Sequence, residues 1–559
     1  MSAGRSLARA GAAVGAASAA SRVLGFARDV LIAQVLGAGA VADAFLIAFR
    51  IPNVVRRVLG EGGINAGFVP LYGAVLAEGG PAAARAFAGR AIGGAAVLLL
   101  ALTALAELAA GPLVLLFAAG FAEEGDKLAL AALYTRLALP FVAFTGLASL
   151  LAALLNAHRY FAAAAVAPAL VNALLIGALL LAENGAAGDP RAGAWLAVAI
   201  SLSGLLHLAI VAVAVARMPG QNALSLNCRF APFFCSCIKF IRKTMPVSRC
   251  DAAGRPPLSP PVIADRAADG AVGRLLRFAL PALVASAMTQ VILLTATAIA
   301  SAEPSAVSWL YYADRVFQLP LSFIGVAAGV VLLPEFVAGK GGPPDIAASV
   351  TGFLVGALAL ALPAAAGLAA LGPTITAILF ERGAFTAADG AQTSALLVTL
   401  ALGLPAAAAS KVLIQPFFAR RQLAPPLLAG LAGVAVTLAA AQPMAGLTGA
   451  LGFPAGLGLS TSIGLWTQAL ALAIAARRDV LWGRPLTLRA AGLALAAAVM
   501  GLAVAGLDRL AAPWLAEHGP TALRAGTLAA LCLAGVAVYT ALAALCGALD
   551  GLLPRKGKP

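Results

Sequence analysis

Most of this chain is laid out in apolar blocks of twenty residues or more, separated by short connections that hold Gly, Pro and charge. So many long apolar blocks exceed what the interior of a water-soluble globule of this length can hide. About twenty apolar residues in a helix match the hydrocarbon thickness of a bilayer. Fourteen such blocks can be delimited, at about residues 8–36, 41–60, 86–118, 128–156, 160–182, 192–216, 274–301, 306–334, 346–378, 388–418, 424–445, 450–476, 487–507 and 522–549. The pattern predicts an all-α polytopic membrane protein with about fourteen transmembrane helices.

Composition points the same way. Of 559 residues, 62% are hydrophobic and 11% charged, with a mean hydropathy of +0.96, whereas a soluble domain carries about 25% charged residues. The net charge of +15 would suggest nucleic acid in a soluble protein. Here the cations sit in short connections, where Lys and Arg set topology, so no nucleic-acid partner is expected. Arg85, Arg90, Arg159, Arg420, Arg421, Arg477, Arg478, Arg484 and the tail cations Arg555, Lys556 and Lys558 fall on one side. The alternate connections "FAEEGDK", "ENGAAGDPR" and "SAEPS" are poor in Lys and Arg. This asymmetry predicts that both termini are cytoplasmic and that the number of spans is even. The basic start "MSAGRSLARAGAAVGAAS" lacks a small-residue cleavage site and runs on into the first block, so it reads as mature protein. Cys228, Cys235, Cys237 and Cys250 share one connection, but their spacing gives no paired CxxC and no His lies nearby. No metal and no cofactor is expected.

The two halves resemble each other. "ADAFLIAFRIPNVV" from residue 42 can be laid on "ADRVFQLPLSFIG" from residue 313, an offset of 271. "LPFVAFTGLASLLAALLNAHRY" from Leu139 can be laid on "LPAAAASKVLIQPFFARRQ" from Leu404, an offset of 265. A shared offset marks an internal repeat. It divides the chain into an N-terminal lobe of six helices (1–217), a basic cytoplasmic connection (218–273), a C-terminal lobe of six helices (274–478), and two further helices with a basic tail (479–559). With an even number of spans per half, the repeats run parallel about an axis along the membrane normal, the build of transporters that hold substrate in a cavity between rocking lobes. The stretch 219–265 departs in composition, with clustered Asn, Cys, Lys and Phe. It reads equally as a divergent loop, a surface amphipathic stretch or a local reading-frame error, and no function is attached to it.

Charges inside the spans are the features that a lipid environment leaves unexplained. In "ASRVLGFARDVLIAQVLGAG" (20–39), Arg22 and Asp29 are seven apart with Gly25 on their face, while Arg28 points about 120° away from Arg22 on a straight helix. They converge if the helix bends, with Gly25 as hinge, or if the cavity is wide. In the second span Asp43, Arg50 and Arg57 recur every seven residues and share a face, Arg56 lies beside them, and Glu61 follows Arg57 at i+4. Pro52 is placed to kink that helix. The C-terminal half carries Asp314 and Arg315 beside Tyr311 and Tyr312, and Lys411 in mid-span. Three readings compete: snorkelling to headgroups, an ion-pair network that stabilises a lobe, or a cationic cleft that binds a polyanion such as a pyrophosphate through arginine forks.

"SRVLGFARD", "ADAFLIAFRIPNVVRRVLGEGGINAGFVP", "SWLYYADRVFQLP" and "FERGAFT" resemble the MurJ (MviN) family of lipid II flippases, within the multidrug/oligosaccharidyl-lipid/polysaccharide flippase superfamily. The resemblance covers nearly the whole chain, and only 219–265 departs from it. It implies two six-helix lobes around a central cationic cavity plus two C-terminal helices, and a transporter rather than an enzyme. It also implies a bacterial cytoplasmic (inner) membrane location, and lipid II, an undecaprenyl-diphosphate-linked disaccharide-peptide, as substrate. Membrane lipids and the cell-wall synthesis machinery follow as partners. By motif match Arg22, Arg28, Asp43, Arg50, Arg56, Arg57, Glu61, Asp314 and Arg315 fall on the family's cavity positions, and Lys411 joins them from its mid-span placement. Two other cargoes fit the same fold: a drug exchanged for a cation, or another polyprenyl-diphosphate-linked glycan. An exporter of the first kind should carry intramembrane carboxylates and aromatics rather than clustered arginines. No GxxxxGK[ST] loop is present, which points to membrane potential or a cation gradient as the energy source.

Overall fold

The computed structural model describes residues 20–58, 64–158, 160, 162–182, 188–218, 288–338, 343–420, 422–449, 452–515 and 520–548. Glu61 and the atypical 219–265 stretch lie outside these residues. Among the described residues every regular element is helical. In chain order they are α1 (20–36), α2 (Ala40–Val58), α3 (Ile64–Leu108), α4 (Ala110–Phe117), α5 (Gly125–Ala138), α6 (Pro140–Ala157), α7 (Ala162–Ala182), α8 (Pro190–Ala216), α9 (288–300), α10 (Ala306–Ala338), α11 (Pro343–Phe380), α12 (Ala387–Ala401), α13 (Leu404–Leu413), α14 (Gln415–Ala419), α15 (Ala424–Thr448), α16 (Gly452–Ala475), α17 (Arg484–Leu515) and α18 (Thr521–Leu545).

Helix occupies the described part of each of the fourteen sequence blocks. Among the described residues eight helices are long and apolar enough to cross a bilayer, or nine with the α12–α14 pair, which bends by 44°. Part of the difference from fourteen lies in which residues are described. α2 carries Asp43, Arg50, Arg56 and Arg57 in 19 residues, and α1 and α9 have fewer described residues than a span needs. One segment differs from the sequence reading: 64–79, left between two spans, is helical and continues into 81–108 across Gly80 (φ 72°). Gly80 followed by Pro81 is a pairing that ends one helix and starts the next, since Gly tolerates positive φ and Pro is pre-set for a first helical turn. Other boundaries follow local chemistry. Asp189 caps α8 by accepting from Arg191 N, and Thr386 with Asp389 forms a capping box on α12.

The chain divides into two compact units. One comprises Met1–Leu31, Ile47–Val114 and Leu128–Leu283; the other comprises Ile32–Leu46, Leu115–Lys127 and Val284–Pro559. In the first, a core of Phe68, Tyr72, Phe87, Leu147, Leu151, Leu154 and Val211 joins α3, α6 and α8. Tyr72 Oη lies 2.8 Å from His158 Nε2 there, which holds the start of α3 against the end of α6. In the second, small residues let backbones approach, as in membrane bundles generally. A Cβ at Gly433 of α15 would lie 2.8 Å from Gly464 O of α16.

The "FERGAFT" turn locks into the same unit. Ala384 N donates to Gln34 O (2.8 Å), and Tyr312 Oη donates to Gly37 O (2.8 Å). Tyr312 packs against Phe380 and Phe385, both with ring centroids at 5.3 Å. Gly37 (φ 66°) and Gly383 (φ 60°) are the residues that permit this seam, because a Cβ on either would overlap the backbone of the facing segment. At the other end of that unit's chain, Arg420 pairs with buried Asp479 through both terminal nitrogens, one at 2.9 Å. Arg420 thus does more than set topology: it neutralises an inward-turned carboxylate.

Gly37→Ala and Gly383→Ala should each lower stability by about 1–3 kcal/mol, the usual range for a non-Gly residue held at such φ. Gly39→Ala, with open space around its Cβ position, should lower it by much less. Thermal unfolding of the detergent-purified protein measures all three.

Candidate functional site

The charged residues picked out by sequence fall into two groups, one in each unit. In the first, α1 runs as unbroken helix through Gly25, and Gly25 has a second use. A Cβ there would lie 3.4 Å from Asn172 Nδ2 of α7, so its bareness lets that amide approach α1. Asn172 Nδ2 donates to Ser21 O (2.9 Å), and Asn172 Oδ1 accepts from Arg28 Nη1 (2.9 Å). Arg28 Nε and Nη2 both donate to Asp29 Oδ1, at 3.0 and 2.7 Å. The guanidinium lies over the Phe49 ring of α2, 4.8 Å from its centroid. Arg28 is therefore fixed on three sides, and its chain neighbour Asp29, 2% exposed, balances its charge. Of its five N–H donors three are engaged, which leaves one on each terminal nitrogen for a ligand.

Arg22, six residues earlier, is exposed, and Arg50 and Arg56 on α2 are half-buried. Arg56 Nε donates to Asn53 Oδ1 (3.3 Å). Arg57 lies on the same helix one residue further on, and its side chain is outside the described set. Pro52 sits inside α2, which continues through it to Val58. Asn53 Nδ2 bonds Phe49 O (3.0 Å) one residue beyond the proline. Asn172 was missed by sequence reasoning. Its signal was an amide in the middle of "APALVNALLIG", a polar group that a membrane span has to satisfy.

In the second unit Asp43 is fully buried. Its Oδ1 accepts from Ser308 N (2.9 Å) and Ser308 Oγ (2.5 Å), and its Oδ2 accepts from Ser305 N (3.1 Å). Ser305 and Ser308 flank the start of α10, so Asp43 of α2 caps that end, and the carboxylate also suits the positive end of the helix. An ion-pair partner is Lys127 Nζ, 3.1 Å from Asp43 Oδ2, where the sequence pattern placed Asp43 on a face with Arg50 and Arg57. Lys127 is itself 4% exposed, reaches Glu124 Oε1 (3.4 Å) and lies 4.5 Å from the centroid of the Phe121 ring. It lay in a connection read as cation-poor, with nothing in "EEGDK" to mark it as buried.

On α10, Asp314 is buried and accepts from Gln318 Nε2 (2.5 Å), while the Arg315 guanidinium stacks over Tyr311, 4.5 Å from the ring centroid. Lys411 is half-buried on α13. Among the described residues no group of His, Cys, Asp and Glu is arranged to hold a metal ion.

The fold defines the class. A solved structure described as lipid II flippase MurJ in an inward closed conformation superposes with a TM-score of 0.71 at 21% identity, covering 96% of this chain and 98% of that one. An inward-facing multidrug transporter of the MATE family in the MOP superfamily superposes at 0.60 with 14% identity, covering 82% and 94%. The protein is thus a multi-pass helical membrane protein that shares the fold of these two solved structures.

Sequence then places it more narrowly: the family model described as lipid II flippase MurJ matches residues 32–520, and the chain belongs to that family. It is 37% identical over 544 residues to a probable lipid II flippase MurJ of Rhizobium meliloti (strain 1021), covering 95% of this chain and 92% of the relative. It is 34% identical over 556 residues to that of Rhizobium tropici, covering 98% and 95%.

Removing one partner of a buried pair typically costs about 3–5 kcal/mol, because the other charge is left uncompensated. Lys127→Met should therefore reduce folded yield and melting temperature sharply, and adding Asp43→Asn to it should recover part of the loss. Asn172→Ala should be milder, near 1–3 kcal/mol for an unsatisfied group. Melting curves of the three variants test the order.

Proposed function

We propose that this protein carries lipid II from the cytoplasmic to the outer leaflet of a bacterial cytoplasmic membrane by alternating access, with the N-terminal (1–217) and C-terminal (274–478) lobes rocking. The observation that carries this reading is the family match over residues 32–520, joined by full-length relatives named for the same activity. Lipid II joins a polyprenyl chain to a disaccharide-peptide through a pyrophosphate. Arginine forks match phosphate oxygens, and the arginines of α1 and α2 supply them. Arg28 offers two directed N–H donors, and Arg22, Arg50, Arg56 and Arg57 are the further arginines of the two helices. Asp314, Arg315 and Lys411 contribute from the other half, and Glu61 and Asp43 act on the protein's own cations. Both termini are cytoplasmic on the positive-inside pattern. The cell-wall synthesis machinery consumes the product on the outer side.

The multidrug exporters share the fold at 14% identity, which is no argument for their cargo. Clustered arginines suit an anionic substrate.

Cells depleted of their own lipid II flippase should grow when supplied with the wild-type chain. Arg22→Ala and Arg28→Ala should abolish that rescue at normal membrane levels. Failure of a well-expressed wild-type chain would sink the substrate, and full rescue by Arg28→Ala would remove that residue from the site.

A further inference from the structure

The connection between α16 and α17, "ARRDVLWGR" (476–484), turns its side chains to two opposite destinations. Asp479 (4% exposed) and Val480 (4%) face inward, as does Ala476 (0%). Arg477, Arg478, Leu481, Trp482 and Arg484 face outward. The turn is held by the protein rather than left to solvent: Asp479 N donates to Ala476 O (2.8 Å), and Leu481 N donates to Thr351 Oγ1 of α11 (2.8 Å). The Asp479 carboxylate is taken by the Arg420 guanidinium. The one acid of the segment is therefore buried and neutralised by a half-exposed arginine from outside it, and the segment's own outer surface carries only cations. Beside them stand two large apolar groups, Leu481 at 53% and Trp482 at 47% exposure.

We infer that this turn is a binding site for the phosphodiester headgroup of an anionic phospholipid of the surrounding leaflet. The chemistry commits to that ligand. Three arginines within eight residues supply forked donors for phosphate oxygens. Indole is the side chain that settles at the headgroup level of a bilayer, and Leu481 reaches toward the acyl chains. A soluble acidic protein would meet the charges, but it would leave Trp482 and Leu481 without an apolar environment. Neutralising Asp479 matters because a carboxylate at this surface would repel the same phosphate. Topology alone asks for cations in the connection. It does not ask for the acid to be folded inward onto an arginine, nor for an exposed indole set between the cations. This inference is independent of the cargo proposed above.

Trp482 supplies its own probe. The protein and its Trp482→Phe variant are reconstituted in phosphatidylcholine vesicles containing equal fractions of acyl-brominated phosphatidylglycerol or acyl-brominated phosphatidylcholine. The emission difference between the two proteins isolates Trp482. Its quenching by the brominated phosphatidylglycerol should exceed that by the zwitterionic lipid roughly fivefold, the attraction of about one basic side chain to an anionic surface. In Arg477→Gln/Arg478→Gln/Arg484→Gln the two lipids should quench equally. Trp195, 71% exposed at the start of α8, is the internal reference. Its own difference signal should show no headgroup preference in either background, and it also reports that the triple variant is folded. Equal quenching of Trp482 by the two lipids in the wild type overturns the inference. So does a preference that survives the triple substitution, or one that Trp195 shares.

Discussion

The Asp43 carboxylate is where the second unit is tied together. Two backbone N–H groups, one hydroxyl and one ammonium converge on its two oxygens, and it is fully buried. In an apolar interior a carboxylate keeps its charge only when such donors replace water. Each donor in turn needs the carboxylate. The N–H groups at the start of α10 have no partner further back in their own helix, and Lys127 is a buried cation, 4% exposed. Three stretches distant in sequence, 32–46, 115–127 and the start of α10, are thereby held to one geometry. The glycine seam at Gly37 and Gly383 belongs to the same unit and follows the same logic, with backbone amides satisfied by backbone carbonyls at a distance no side chain would allow.

How much of this could be read from sequence depends on how local each feature is. Helices were readable because a lipid-facing helix is apolar on every side, and exposed groups such as Leu116, Leu181, Leu502 and Leu545 are the visible result. Breaks at Gly80–Pro81 and Leu139–Pro140 are chemistry of adjacent residues. The intramembrane charges were recognisable as anomalies for the same reason. Their partners were not. Lys127 belongs to a short polar connection and Asn172 to a span dominated by Ala and Leu, and what makes either significant is a residue 84 or 144 positions away. The seven-residue spacing of Asp43, Arg50 and Arg57 placed them on one helix face, which fixes a direction around one helix but not which neighbouring segment lies there. Arg420, read as a topology charge, has the same explanation: its partner Asp479 is 59 residues on.

The surroundings of Arg28 bear on how arginines inside a membrane can serve an anion. An unpaired guanidinium would collapse onto whichever carbonyl or carboxylate it met first, and its direction would be undefined. Asp29, Asn172 and the Phe49 ring fix the plane of this one. Fixing it uses three of its donors and balances its charge. The Arg28–Asp29 pair is thus a good directional donor and a poor source of positive potential.

A pyrophosphate requires both. On the function proposed above, the other arginines of α1 and α2 (Arg22, Arg50, Arg56 and Arg57) are the remaining cations of those two helices. A cluster of unbalanced arginines buried together would repel one another more strongly in the apoprotein the better they bound a polyanion. Holding an arginine against a neighbouring carboxylate and amide, as at Arg28, keeps that repulsion small. Gly25 then has a use different from that of a hinge: without a side chain it admits Asn172, and Asn172 sets the direction of Arg28.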